Sequence, residues 1–129
     1  MGRLKQQKLE QIIVLVRPYL VALAKDGRTV TYSILQSDLH LPRQDTGEIL
    51  GEVSNREHKD GRPRLSALVV RKDTGLPGVG FFGLDGVPPQ IRWPQEKEVS
   101  AEVTEKRASF ALEERKRVFD YWQKPPAVS

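Results

Sequence analysis

The side chains in this sequence with the clearest chemical potential are cations that recur between residues 43 and 72. Arg43 is followed by Gln44, and the remaining cations of this set are Arg56, Lys59, Arg62, Arg64, Arg71 and Lys72. Guanidinium and ammonium groups bind phosphate oxygens, and an arginine with a glutamine at the start of a helix can reach base edges. The pattern predicts binding of duplex DNA, with Arg43 and Gln44 at the groove and the other cations on the backbone.

Residues of the kind that usually build an active site are sparse. The chain has two histidines, His40 and His58, and neither stands near paired carboxylates or a cysteine in the sequence. Asp60, Asp73 and Asp85 adjoin glycine or lie in turn sequences, where an aspartate bonds to local backbone. We therefore predict a protein that is not an enzyme, with no catalytic residues, no metal site and no cofactor.

Composition narrows the class of protein further. The 129 residues include 21 Lys or Arg and 17 Asp or Glu, which gives a formal charge of +4 and a slight preference for polyanionic partners. The sequence has no cysteine, which excludes disulfides, thiolate metal sites and a cysteine nucleophile. No apolar run approaches the roughly 18 residues of a membrane span, and the first residues lack the apolar stretch of a signal peptide. We expect a cytoplasmic protein without a membrane partner.

The elements that would position the cations begin with an amphipathic helix over residues 4–25. Its apolar side chains recur every three to five positions, so they share one face. Pro18 predicts a kink near Arg17, because proline removes a helical hydrogen bond and clashes with the preceding turn. Asp26 and Gly27 predict the end of this helix.

Two shorter helices should follow. Thr31 is a good N-cap for a helix over residues 32–39, and Asp45 with Glu48 forms an aspartate version of the capping box for a helix over residues 45–58. Two such helices joined by a five-residue link match the outline of a helix-turn-helix, whose second helix enters the major groove.

Residues 65–82 predict a β-hairpin that would act as a wing. The segment 65–70 is apolar and β-branched, 72–75 contain turn residues, and 78–82 alternate glycine with apolar and aromatic residues. Residues 95–124 favour a C-terminal helix. We predict an α+β fold in which a helix kinked at Pro18 precedes a winged helix-turn-helix. Residues 1–94 would form this domain. Residues 95–124 would pack on it or on a partner, and residues 125–129 would form a frayed tail.

Several short strings also resemble a known family. They are Thr31-Tyr32, the segment 46–51 (TGEILG), the segment 65–70 (LSALVV) and the segment 75–81 (GLPGVGF). In order and approximate spacing this set resembles the DNA-binding domain of the O6-alkylguanine-DNA alkyltransferases and alkyltransferase-like proteins, over residues 29–82. The resemblance implies a DNA-binding winged helix-turn-helix.

The resemblance also assigns roles to individual positions. Tyr32 is at the place of the tyrosine that helps rotate the target nucleotide out of the duplex, and Gln44 is at the place of the arginine that fills the vacated stack. Ser66 takes the place of the acceptor cysteine and has no histidine beside it. Because a serine hydroxyl without a neighbouring base is a poor nucleophile, alkyl transfer is not expected.

A protein-docking or oligomeric regulatory module is the alternative to DNA binding. Asp45, Glu48, Glu52 and Glu57 lie on the second short helix and would repel phosphate if they faced the groove. Phe110, Phe119 and Trp122 on the C-terminal helix could instead form a homodimer contact or dock on a larger complex, for example as an accessory subunit in a phage, mobile-element or defence system.

Overall fold

Four α-helices and one short parallel sheet make up most of the described chain. The computed structural model describes residues 5–95 and 98–124. In chain order the elements are α1 (Gln6–Asp26), β1 (Val30–Thr31), α2 (Tyr32–Leu39), α3 (Thr46–Lys59), β2 (Val69–Val70) and α4 (Ala101–Gln123). Single 3₁₀ turns occupy Arg43–Asp45, Leu65–Leu68, Val79–Gly83 and Pro89–Ile91.

Helix α1 lies across the core with one apolar face inward. Leu9, Ile13, Val16 and Leu20 are buried at helical spacing. Helix α1 is continuous through Pro18, which lies on its exposed side, and the kink predicted near Arg17 stays a prediction. The carbonyl that proline leaves without an N–H partner can therefore be solvated by water.

The C-terminus of α1 and the N-terminus of α2 have the terminating glycine and the capping threonine that the sequence predicted. Gly27 ends α1 in the left-handed conformation, with φ of 68°, and its N–H bonds back to the last turn. The Thr31 hydroxyl accepts a hydrogen bond from the Ile34 N–H at 3.3 Å and caps α2. The predicted capping box on α3 is wrong, because Asp45 is buried and makes no side-chain cap bond. Instead the Thr46 hydroxyl donates to the Pro42 carbonyl at 3.0 Å.

The predicted hairpin wing is wrong. β2 pairs with β1 in parallel, with Val69 opposite Val30 and Val70 opposite Thr31. No antiparallel partner strand follows β2 in the described residues, where 3₁₀ turns and irregular chain replace it. Glycine and proline at 75–80 weaken a strand and remove a donor, whereas β1 offers two β-branched positions for pairing.

Helix α4 closes the core from the other side. Ala111 and Val118 are fully buried, and α4 packs on α1 and on the 3₁₀ turn at 65–68. The Glu114 carboxylate lies 2.9 Å from Nη1 of Arg64 and also accepts the Arg64 backbone N–H at 2.9 Å. Both side chains are almost completely buried, so this ion pair joins α4 to the chain that precedes β2.

These findings correct the predicted fold class. The described chain is mostly helical with a two-stranded parallel sheet, and it is not a winged helix-turn-helix with a β-hairpin. The predicted frayed tail at 125–129 lies outside the described residues.

Candidate nucleic-acid interface

A cavity of about 220 Å³ opens between α2, α3 and the segment that follows β2. Its walls are formed by Tyr32, Gly47, Leu50, Gly51, Ser66, Gly78, Gly80, Phe81 and Leu84. Most of this lining is apolar or is glycine backbone, while Tyr32 and Ser66 each contribute a hydroxyl. The cavity therefore combines a small apolar enclosure with few polar groups, which is the usual composition of a ligand site.

Two glycines in α3 keep this cavity open. A Cβ added to Gly47 would meet no heavy atom within 4 Å, and one added to Gly51 would meet only the Leu84 side chain at 3.5 Å. Gly51 lies in the interior of α3, where glycine is less favourable than alanine by roughly 0.5–1 kcal/mol, and Gly47 lies in its first turn. Neither position therefore needs glycine to avoid a steric clash. Larger side chains at these positions would project into the cavity.

The Tyr32 hydroxyl fixes one wall of the cavity. It accepts a hydrogen bond from the Gly78 backbone N–H at 2.7 Å, which ties the start of α2 to the segment after β2. Burial raises the pKa of Tyr32 above its ordinary value, against a smaller opposite effect of the Gly78 bond. The hydroxyl therefore stays protonated at neutral pH, and its own hydrogen remains available for donation.

Ser66, which lines the cavity, is hydrogen-bonded to the buried Ser54. The Ser54 hydroxyl donates to the Ser66 hydroxyl oxygen at 2.6 Å and accepts the Ser66 backbone N–H at 3.0 Å. Ser54 is fully buried and Ser66 nearly so. Since Ser66 receives the hydrogen of Ser54, its own hydrogen is free to donate to an occupant of the cavity.

A shallow groove adjoins the cavity at Tyr32, which lines both. The groove residues are Thr31, Tyr32, Ser33, Gln36, Arg43, Val70, Arg71, Lys72 and Asp73. Arg43, Arg71 and Lys72 are exposed there. The one carboxylate in the lining, Asp73, bonds to the Arg71 guanidinium at 3.0 and 3.1 Å. Three cations against one anion make this groove basic.

Three of the other predicted phosphate-binding cations, Arg56, Arg62 and Arg64, form ion pairs within the protein. Arg64 is buried against Glu114, where it cannot reach a phosphate. Arg62 lies 2.8 Å from the Glu57 carboxylate and also bonds to Asp60.

Arg56 is also engaged within the fold. It joins the Glu10 carboxylate to Glu52, with 3.1 Å between its Nε and the Glu52 carboxylate. Lys59 is exposed at the end of α3, and Gln44 is exposed in the 3₁₀ turn before it. The structure thus brings Arg43, Arg71 and Lys72 together with Tyr32, and uses Arg56, Arg62 and Arg64 in internal ion pairs.

Helix α3 does not project as a recognition helix. Ile49, Leu50, Val53, Ser54 and Glu57 are buried in it. Its outer side carries the two cavity glycines together with half-exposed Glu48 and Glu52. Insertion of this helix into a major groove would bring these carboxylates towards phosphate, so the predicted groove contact through α3 is not supported.

The predicted docking surface on α4 packs against the protein itself. Phe110, Phe119 and Trp122 are partly buried on the hydrophobic core. The Phe110 ring lies 6.1 Å from Phe81 between centroids, and the Arg17 guanidinium carbon lies 5.6 Å from the Trp122 ring centroid. These aromatic side chains therefore have intramolecular partners.

No protein-family model, curated protein or solved structure matches this chain. The family resemblance described above therefore stays a prediction. In the described ranges, 5–95 and 98–124, none of the helices has both the length and the apolar character needed to cross a membrane. Across those same residues, no three His, Asp or Glu side chains come close enough together to hold a metal ion.

Proposed function

We propose that this protein binds nucleic acid at the cavity and the basic groove beside it. The sugar-phosphate backbone follows the groove past Arg43, Arg71 and Lys72, and one unpaired base enters the cavity past Tyr32. Tyr32 lines both spaces, which supports this division of one strand between them. Phosphate contacts supply most of the affinity, because polyanion binding releases condensed counterions.

The pair of helical glycines is the observation that carries this proposal. Neither Gly47 nor Gly51 is needed to avoid a steric clash, Gly51 destabilises the interior of α3 relative to alanine, and both glycines line the cavity. A volume of about 220 Å³ lies below the roughly 300–1,000 Å³ of sites for drug-sized ligands, and suits a single planar ring. Bases that are read individually enter such pockets after leaving the stack.

The lining favours a base that presents a hydrogen-bond acceptor. Leu50, Phe81 and Leu84 supply apolar contact, and the Ser66 hydroxyl in the lining supplies a donor. A ring carbonyl or ring nitrogen meets both requirements. The serine acts here as a binding group, because among the described residues its hydroxyl bonds to Ser54 and not to a histidine or carboxylate that could activate it as a nucleophile.

Fluorescence anisotropy with labelled oligonucleotides tests the proposal. One probe is a fully paired duplex and the other is the same duplex with a single unpaired base, each titrated at low and at higher salt. We expect tighter binding to the second probe and weaker binding to both at higher salt. Lys72→Ala should weaken both equally and reduce the salt slope by about 1, while Lys116→Ala, at an exposed lysine on α4, should leave binding unchanged.

Gly47→Leu separates the cavity from the groove. Leucine at a helical position improves intrinsic propensity, so the variant should unfold at no lower denaturant concentration than wild type. It should lose the preference for the unpaired base and keep the salt-dependent component. Ser109→Leu, at an exposed position of α4, is the matched control. Equal affinity of wild type for the two probes would refute the cavity assignment, and absence of low-salt binding at micromolar protein would refute nucleic-acid binding.

A further inference from the structure

A second pocket lies between the segment that follows β2 and the first two turns of α4. It encloses about 320 Å³, which falls within the roughly 300–1,000 Å³ of small-molecule sites. Arg107 lines it, and we call it the Arg107 pocket. The apolar residues of its lining are Leu76, Pro77, Val79, Phe82, Val99 and Ala108.

Arg107 brings a buried positive charge to this pocket. The residue is only 7% exposed, and its guanidinium carbon lies 5.3 Å from the centroid of the Phe82 ring, which lines the same pocket. An arginine side chain keeps its charge at neutral pH. Removing a charge from water is unfavourable unless an opposite charge and hydrogen bonds compensate for the lost solvation.

The hydrogen bonds that Arg107 makes to described residues go to neutral acceptors. Its Nε donates to the Ile91 carbonyl at 2.8 Å. Its Nη2 donates to the Arg92 carbonyl at 3.2 Å and to the side-chain carbonyl of Gln95 at 3.0 Å. Nη1 donates none of these bonds, so its two hydrogens are free to bind an acceptor in the pocket.

Arg64 shows how the same fold compensates another buried guanidinium. It is 3% exposed, and its Nη1 lies 2.9 Å from the Glu114 carboxylate. The described lining of the Arg107 pocket offers no such partner, because it contains two arginines, Arg71 and Arg107, and no carboxylate. An anion that enters the pocket would supply the missing counter-charge.

The apolar part of the lining is incompletely covered. Val79 is 50% exposed and Val99 is 38% exposed, and both line the Arg107 pocket. Contact with an apolar group would remove these side chains from water, which is favourable. The pocket therefore suits a ligand that carries both an anionic group and an apolar body.

We infer that the Arg107 pocket binds a small organic carboxylate with an apolar body. The carboxylate accepts hydrogen bonds from Nη1 of Arg107, and the body covers Val79, Val99 and the Phe82 ring. Bonds between a guanidinium and a carboxylate are among the strongest that side chains make. The inference does not rest on nucleic-acid binding, because the pocket shares only Gly78 with the cavity and only Arg71 with the basic groove.

Nuclear magnetic resonance titration of the full chain with octanoate tests the inference. 1-Octanol is the matched ligand, because it has the same chain length without the charge. We expect saturable shifts of backbone amide signals within 71–82 and 99–108 for octanoate. Binding of 1-octanol should be at least about tenfold weaker, because the charge-assisted bonds to Arg107 are lost.

Two variants separate the pocket from the charge. Ala108→Leu fills the pocket while Arg107 stays in place, and it should weaken octanoate binding at least about tenfold. Ser109→Leu, at the next and exposed position, is its matched control and should bind octanoate like wild type. Arg107→Gln should weaken binding of octanoate and leave that of 1-octanol unchanged. Circular dichroism checks that each variant is folded.

Three results would overturn the inference. They are no saturable binding of octanoate to wild type at about 1 mM, equal affinity for octanoate and 1-octanol, and signal shifts centred outside 71–82 and 99–108. A folded Ala108→Leu variant that binds octanoate like wild type would place the ligand outside the Arg107 pocket and would overturn it as well.

Discussion

Glu57 shows how one buried carboxylate organises its surroundings. Its side chain is 1% exposed, and it accepts hydrogen bonds from Arg17 at 2.9 Å and from Arg62 at 2.8 Å. Burial raises the pKa of Glu57, but the bonds from Arg62 and Arg17 outweigh burial, so the net pKa is lowered. The ionised carboxylate thus links α1 to the chain that follows α3.

This geometry predicts acid sensitivity that depends on Glu57. A carboxylate whose folded pKa lies below its unfolded pKa of about 4.3 contributes stability that is present above that pH and is lost as pH falls through the folded value. Glu57→Gln should therefore lower the free energy of unfolding at pH 7 by on the order of 2 kcal/mol. In urea titrations the difference from wild type should shrink at pH 3–4.

Glu105→Gln, at an exposed position on α4, provides the comparison for this experiment. It should change stability little at either pH. A Glu57→Gln variant as far below wild type at pH 3 as at pH 7 would contradict the proposed linkage.

Residue-level prediction from the sequence succeeded where the determining contacts are local. Gly27 as a helix terminator and Thr31 as an N-cap each depend on neighbours within a few positions. Which cations form internal ion pairs could not be predicted in the same way. Arg64 is buried because Glu114 reaches it from 50 positions away in sequence, and a basic run does not indicate which of its members already has a partner.

At the scale of elements, the segment 65–82 explains why the hairpin was predicted and does not form. The apolar run ending in Val69-Val70 does contain a strand, and the turn after it does form, with the Gly75 N–H bonded to the Arg71 carbonyl at 2.8 Å. Both features are compatible with a hairpin. The hairpin does not form because glycine and proline at 75–80 do not continue as a strand. The strand that β2 does pair with is β1, 39 positions earlier, and that pairing is visible only in three dimensions.

A buried ion pair between Glu114 and Arg64 contributes to the attachment of helix α4 to the preceding chain. Replacing Glu114 by glutamine leaves the buried Arg64 guanidinium without its counter-charge, and loss of one partner of a buried pair costs about 3–5 kcal/mol. Glu114→Gln should lower the urea midpoint markedly. The adjacent exposed Glu113 offers a matched control, because Glu113→Gln removes the same charge one position away.

Measurement of both variants by urea denaturation at neutral pH distinguishes the ion pair from net charge. A similar loss in both would show that overall charge, rather than the contact with Arg64, determines the effect.

At the scale of the whole molecule, the core is shared by segments that are distant in sequence. Leu20 of α1, Leu65 and Leu68 of the 3₁₀ turn, and Val118 of α4 are all fully buried in one cluster. A fragment that ends at residue 98 would expose the apolar surface that Ala111 and Val118 cover. We expect such a fragment to unfold without a cooperative transition and to bind a hydrophobic dye, as measured by circular dichroism and dye fluorescence.

A sharp unfolding transition in the fragment would contradict this expectation and would show that residues 1–98 fold independently of α4. The sequence had left open whether the C-terminal helix packs on the rest of the chain or on a partner, because amphipathic periodicity identifies a buried face but not what buries it.

At the candidate site, too, the sequence identified residues but not what lies next to them in the fold. Tyr32, Arg43, Arg71 and Lys72 were all predicted as nucleic-acid contacts, and the structure places them around one groove. Their arrangement beside a cavity was not predicted, because the cavity depends on helical glycines facing the segment after β2. The strings that carried the family resemblance include Gly47, Gly51 and Ser66, but the strings alone do not show that these residues line one cavity.

The parallel pairing of β1 with β2 also sets an order of events during synthesis. Val30 emerges from the ribosome 39 residues before Val69, its pairing partner. At roughly 5–20 residues per second this interval is about 2–8 s, and α4 arrives later still. For that time β1 has no strand to pair with, so the sheet cannot form until residues 69–70 have been made.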